Sequence, residues 1–377
     1  MRRTAWYRLL TLLLVLALAA AACGSDGDSD SGDTTASDES DESDESGDEA
    51  ELETVTIPES DRPIEPLTGE DLTDEGLLDQ PAYAIKIDND DRARPQNGLG
   101  QADVIFEILV EANKTRFLAV FHSEIPAEAG PTRSARSSDF DVLASLGTPV
   151  FAYAGSNPGV ASEISSAASD GVLVPVNIDA IGSPTSFRDS ERPAPHNLVS
   201  VPSEAIAAAG GEPGSPAPIF AYRDPSDVGD AGSGGGVELS IGDNTSALHL
   251  WGGGLNGWGR YQNGTAHLDH DGVQVAPTNL VVLEITYGSS ASDSASPEAV
   301  TVGDGPALVA RNGEILEGTW ARGSGADPFQ LTGADGEPLL LDPGSTWVAL
   351  ARQGDYEVLT PGDAFLRAQG LAGGDEG

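Results

Sequence analysis

The chain has 377 residues, 61 of them Asp or Glu, 19 Lys or Arg and one Cys, for a net charge of −42. That excess excludes nucleic acid and anionic lipid headgroups as direct partners, because both need a basic footprint, and a lone cysteine excludes intramolecular disulfides. The length suffices for two domains with separate cores, and the charge is unevenly spread: +3 over residues 1–23, −15 over 24–60 and −30 over 61–377.

Residues 1–23 have the layout of a targeting signal. Met1-Arg2-Arg3 and Arg8 are basic, Leu9 to Leu18 are apolar, and Ala19-Ala20-Ala21-Ala22 form a small-residue cleavage region. The only cysteine, Cys23, stands at its end and is followed by Gly24, which matches the bacterial lipobox, with Ala20 where leucine is commonest. The apolar run is short for a spanning helix, which needs about 20 residues. Cleavage and lipidation at Cys23 are expected, placing the protein on the extracytoplasmic face of a bacterial cell membrane. Residues 24–60 contain Ser37-Asp38-Glu39, Ser40-Asp41-Glu42 and Ser43-Asp44-Glu45 with no basic residue, a composition that stays disordered and serves as a tether.

The first domain is expected over 61–205. Tyr83 to Ile87 is a short apolar strand ending in Asp88-Asn89-Asp90-Asp91. A calcium loop starting there would need Gly at its sixth position and Glu at its twelfth, and Ala93 and Leu99 stand there instead. Arg94-Pro95-Gln96-Asn97-Gly98 continues as a loop. Val104 to Glu111 and Arg116 to His122 alternate as a hairpin; with Asn113-Lys114 as central turn residues, Glu111 faces Arg116 and Val110 faces Phe117. That register puts Val104, Phe106, Ile108, Val110, Phe117, Ala119 and Phe121 on an apolar face and Glu107, Glu111, Arg116 and His122 on a polar one.

Gly130-Pro131-Thr132-Arg133-Ser134-Ala135-Arg136 precedes an expected helix over about 138–146. Two guanidiniums beside a helix start suit a phosphate or carboxylate; equally, they can pair with Glu107, Glu111 or Asp139 and hold loops down. Further on, a strand over 150–154, a helix to about 168, a strand over 172–178 and a helix from near Ser203 are expected, with Pro195-His196-Asn197 before the last.

The run ARPQNGLGQADVIFEILVEANKTRFLAVFHSE, then GPTRSAR, then APHNL at 194–198, resembles the signature of the YerB-like lipoproteins, catalogued as domain of unknown function 3048. The resemblance covers an N-terminal part over about 66–205 and a C-terminal part over about 246–352. It implies an exported, membrane-anchored protein with no established activity. Ala112-Asn113-Lys114, where the family carries small residues, and the Gly-rich stretch after Asp224 depart from the pattern.

Residues 206–245 form a Pro/Gly-rich connector, and 246–352 carry short runs at 247–251, 279–287, 306–311, 314–322, 338–341 and 345–351, split by Asn312-Gly313, Asp335-Gly336 and Pro343-Gly344. The expected fold class is therefore α+β: a mixed α/β N-terminal domain, a smaller all-β C-terminal domain built as a sandwich or barrel, and a tail over 353–377. Trp251, Trp258, Tyr261, Trp320 and Trp347 suit either a core or a sugar-stacking groove. His267-Leu268-Asp269-His270-Asp271 is expected to be a polar turn. No metal site or cofactor is expected, since no local spacing supplies three or four converging ligands.

The expected site is a polar cleft of Asp88, Asn89, Arg94, Gln96, Glu107, Glu111, Arg116, Arg133, Ser134, Arg136, His196 and Asn197, with His122 also lining it. It would bind an anionic or polyhydroxylated envelope ligand such as a cell-wall fragment, with arginines taking anionic groups. A second expectation is a wall hydrolase using Glu107 or Glu111 with His122 or His196 as acid and base; a third is an envelope scaffold acting through the β domain.

Overall fold

The structure is a computed structural model that describes residues 56–243, 245–252 and 254–373; Cys23, the signal segment and the tether up to residue 55 lie outside them. Among the described residues the strands are β1 (Tyr83–Asp88), β2 (Val104–Val110), β3 (Lys114–Phe121), β4 (Val150–Tyr153), β5 (Val174–Asn177), β6 (Ser186–Arg188), β7 (Leu198–Ser200), β8 (Gly236–Gly242), β9 (Thr245–Trp251) and β10 (Trp258–Gln262). They continue as β11 (Thr265–Ala266), β12 (Asn279–Glu284), β13 (Thr286–Ser289), β14 (Pro297–Val300), β15 (Gly303–Arg311), β16 (Glu314–Arg322), β17 (Gln330–Gly333), β18 (Thr346–Ala351) and β19 (Tyr356–Leu359). The helices are α1 (Asp139–Ala144), α2 (Pro158–Ser169), α3 (Ile178–Ile181), α4 (Pro202–Ala208) and α5 (Pro361–Gly373).

One ten-stranded mixed sheet, in the order β17-β16-β15-β12-β18-β2-β3-β1-β4-β5, runs through both halves of the sequence. The continuous apolar runs of β1 and β2 demand this. Every residue of both strands is buried, so neither face can be turned to water. β18 supplies the join, pairing in parallel with β12 on one side and with β2 on the other. The C-terminal half is all β as far as α5, as expected, but it does not close into a sandwich or barrel of its own. Five of its strands extend the N-terminal sheet, and β8 and β19 lie in segments expected to be connector and tail.

The hairpin register differs from the expected one. Val110 lies opposite Lys114 and Glu107 opposite Phe117, because the turn takes three residues, Glu111–Asn113, with left-handed backbone at Ala112 and Asn113. An odd slip turns β3 over. Phe106 and Ile108 therefore share a face with Leu118 and Val120, whereas Phe117, Ala119 and Phe121 lie on the other face with Ile105 and Leu109. Both faces are core, and the expected ionic face is absent.

On the first face pack α1 and α2, through Val142, Leu143, Val160 and Ile164. α2 opens on Pro158, capped by Asn157 Oδ1, which accepts the Val160 N–H at 2.9 Å. On the second face lies a five-stranded antiparallel sheet, β11-β10-β9-β8-β19, contributing Val237, Leu239, Ile241 and Trp258. Its outer side is covered by α5 over Leu248, Leu250 and Leu359. Trp258, Trp347 and Trp320 are buried, which assigns them to the core rather than to a sugar-stacking groove.

Candidate functional site

The segment 130–136 crosses the ends of β1 and β4 and is pinned there by its backbone. Asp88 N–H donates to the Pro131 carbonyl at 2.9 Å, Arg133 N–H to Lys86 at 2.8 Å, and Ala154 N–H to Arg133 at 2.9 Å. β1, β4 and β5 run parallel, so this loop lies outside their carboxyl ends, where open α/β sheets place their ligands. Thr132 N–H donates to Leu198, which brings Pro195 and His196 alongside.

Here Asp88, His196 and Arg133 meet. His196 Nδ1 lies 2.7 Å from Asp88 Oδ2, both side chains being nearly buried. A carboxylate there sets Nδ1 as the protonated nitrogen and leaves Nε2 with no hydrogen bond among the described residues. Arg133 Nε stands 3.4 Å from the same Asp88 oxygen, without hydrogen-bond geometry, and Nη1 donates to the Pro195 carbonyl at 3.2 Å. Its guanidinium is part-exposed and loosely held.

Arg116 and Arg136 are committed elsewhere. Glu111 takes Arg116 Nη2 at 2.6 Å and Arg136 through Nε at 2.8 Å and Nη2 at 2.5 Å. Burial raises the Glu111 pKa, but the Arg136 hydrogen bonds and both positive charges outweigh it and lower the value to about 2. Arg116 drops to about 10, chiefly through burial, with Glu111 opposing and Arg136 and Arg133 adding to the fall. The helix-start anion site expected beyond Arg136 is filled by the chain itself: α1 has six residues, Asp139 accepts the Arg136 N–H at 2.8 Å, and its other oxygen meets Lys86 Nζ at 2.5 Å in a fully buried pair.

Three expected site residues, Asn89, Gln96 and Glu107, belong to a different network on the opposite face of the sheet, and one of them bridges to the first. Glu107 is buried against Arg260, whose Nη2 donates to its two oxygens at 3.2 and 3.3 Å. Arg260 also lies over the Trp347 ring, 4.5 Å from its centre, and donates to Gln262 Oε1 at 2.6 Å and to His267 Nδ1. Because an arginine only donates, Nδ1 of His267 is the acceptor and Nε2 carries the proton, directed at Gln96 Oε1 2.7 Å away. Gln96 in turn donates to the Asp88 carbonyl at 3.0 Å. Thr115 donates to Glu107 at 2.9 Å and accepts from Asn89 at 2.7 Å. Glu107 is thus a sealed ion-pair partner, not an accessible acid or base.

His122 is also structural: Nδ1 faces Glu65 Oε2 at 3.1 Å, and Nε2 faces the Leu77 and Gln80 carbonyls at 3.0 and 3.2 Å. Arg94 pairs with Asp91, Asn197 is held by Arg188 at 3.0 Å, and Ser134 Oγ donates to Ala154 at 3.0 Å. Of the twelve expected ligand contacts, the structure brings Asp88, Arg133 and His196 together, with only Arg133 part-exposed, while Arg116, Arg136 and Glu111 form a separate ion cluster nearby. Lys86 and Arg260 were missed. A lysine inside the apolar run YAIKID was the one local signal; Arg260 had none, since its partner is 153 positions away.

Two family models match in order: Protein of unknown function (DUF3048) N-terminal domain over residues 67–213, and the DUF3048 C-terminal domain over 237–348. A relative from Bacillus subtilis (strain 168), named "Putative lipoprotein YerB", is 28% identical over 307 residues, covering 79% of this chain and 89% of its own length. The crystal structure of YerB protein from Bacillus subtilis superposes with a TM-score of 0.67 at 24% identity, over 79% of this chain and 99% of the other. With both halves present in sequence and the fold shared, the chain belongs to the DUF3048 family.

Proposed function

We propose that the protein is a lipoprotein held by Cys23 to the outer face of the cell membrane, and that it captures an anionic envelope ligand at Arg133 and His196. The name of the Bacillus subtilis relative and the lipobox support the anchor. One observation carries the ligand: in a chain of net charge −42, Arg133 keeps a part-exposed guanidinium with no tight partner among the described residues, beside a histidine oriented by Asp88. An arginine fork fits a carboxylate or phosphate, and charge-assisted bonds of this kind are each worth about 1.5–3 kcal/mol.

The full-length protein is expected to be retained by purified cell wall and to bind inorganic phosphate weakly. Arg133→Ala should lower wall affinity about 10- to 100-fold with little change in the thermal midpoint, because Arg133 makes no tight internal bond. Equal retention of wild type and variant sinks the reading. Arg136→Ala is a poorer probe, since it strips Glu111 of its bidentate partner.

The Asp88–His196 pair favours a second reading, hydrolysis of the captured wall fragment with His196 Nε2 as general base and Asp88 as its orienting group. Incubation with purified wall separates the two: a hydrolase releases soluble fragments that His196→Gln no longer releases, and a binder releases none.

A further inference from the structure

Lys86 sits in β1, on the strand face that carries Ala84 and, across the ladder, Leu118. α1 packs on the same face through Val142 and Leu143, and its first residue, Asp139, brings Oδ1 to 2.5 Å from Lys86 Nζ. Both side chains are 0% exposed, and the two positions are 53 apart in sequence.

An ion pair fits this place poorly. An ammonium carries three donors, and Asp139 Oδ1 is the only acceptor that Lys86 Nζ meets among the described residues. Burial pushes the Lys86 pKa down, and Arg116 and Arg136 push the same way against the pull of Asp139. Two charges taken out of water are costly unless the remaining donors find partners. A neutral amide between the two side chains removes both charges and all but one N–H. Its carbonyl oxygen would be Asp139 Oδ2, which already accepts the Arg136 N–H at 2.8 Å.

We propose that Lys86 and Asp139 condense in the folded protein to an isopeptide bond. The proton held across the Nζ–Oδ1 contact passes to the carboxylate, leaving an amine and a carboxylic acid. Nζ then attacks Asp139 Cγ, the carbonyl electron pair moves onto Oδ2, where the Arg136 N–H meets it, and a proton passes from Nζ to Oδ1. The Cγ–Oδ1 bond breaks, Oδ1 leaves as water and the carbonyl re-forms, so no oxidant, reductant or further reactant enters. The fixed contact makes the step unimolecular. Arg133 N–H donates to the Lys86 carbonyl and Arg136 N–H to Asp139, so the bond clamps both ends of the stretch from Arg133 to Arg136. With one cysteine in the chain, no intramolecular disulfide can do the same. The bond stands whether or not Arg133 takes a ligand.

The test is intact-mass and tryptic-peptide mass spectrometry of purified full-length protein. Wild type is expected to be lighter than its processed sequence plus any lipid by the mass of one water, and to yield a branched peptide in which uncleaved Lys86 is joined to the peptide carrying Asp139. Lys86→Met and Asp139→Ala should each show the full mass and linear peptides alone. Wild type at the full mass, with trypsin cleaving after Lys86, overturns the proposal, and so does a loss of water located at any other residue. If neither variant folds, the mass and peptide map of the wild type decide by themselves.

Discussion

Arg260 and Arg133 show how far the same side chain can differ in role. Arg260 is wholly buried, which disfavours its charge, and Glu107, Gln262, His267 and the Trp347 face together offset that cost. Arg260→Met leaves Glu107 an unpaired buried carboxylate and should cost about 3–5 kcal/mol in urea unfolding. Adding Glu107→Leu should recover most of that loss, because an apolar pair of similar volume replaces a buried ion pair at little cost. A double variant as unstable as the single one would contradict the assignment. Glu107 was visible as the one charge in VIFEILV, a sign of a buried partner, but the same sign was compatible with a site residue lining a cleft.

The hairpin is the element on which the expected register and the observed one part. Asn113 was a sound turn residue, yet the turn also places Ala112 at φ 57°, a backbone region that a side chain makes costly. Relief of roughly 1–2 kcal/mol against the entropic cost of glycine, about 0.5–1 kcal/mol, makes Ala112→Gly stabilising by up to about 1.5 kcal/mol. The gain should appear as a higher urea midpoint at constant slope; a lower midpoint would argue against the left-handed turn. Alternation alone could not choose the register, because both faces of the ribbon are apolar once β18 and the five-stranded sheet are in place. The true register still brings Arg116 to Glu111, through a side chain reaching past the turn instead of a facing pair.

At the scale of the molecule, the ten-stranded sheet makes the two family segments interdependent. Without β18, β2 loses its parallel neighbour, and Val104 and Phe106 lose the cover of Val348. Segments 67–213 and 237–348, produced separately, are expected to give no cooperative melt alone and to recover one when mixed; cooperative unfolding of the first segment by itself would show a self-sufficient domain. What the sequence determined by itself was local or compositional: family, fold class, most of the strand and helix runs of the first half, and the two motifs that carry Arg133 and His196. Only the tertiary structure decided which carboxylate meets which arginine, that Glu107 and His122 are internal ties, and that the second half completes the first half's sheet. The physical reason is that periodicity reports whether a face is buried, whereas the partner that buries it, such as Arg260 for Glu107 or β18 for β2, comes from far along the chain and leaves no mark on the local pattern.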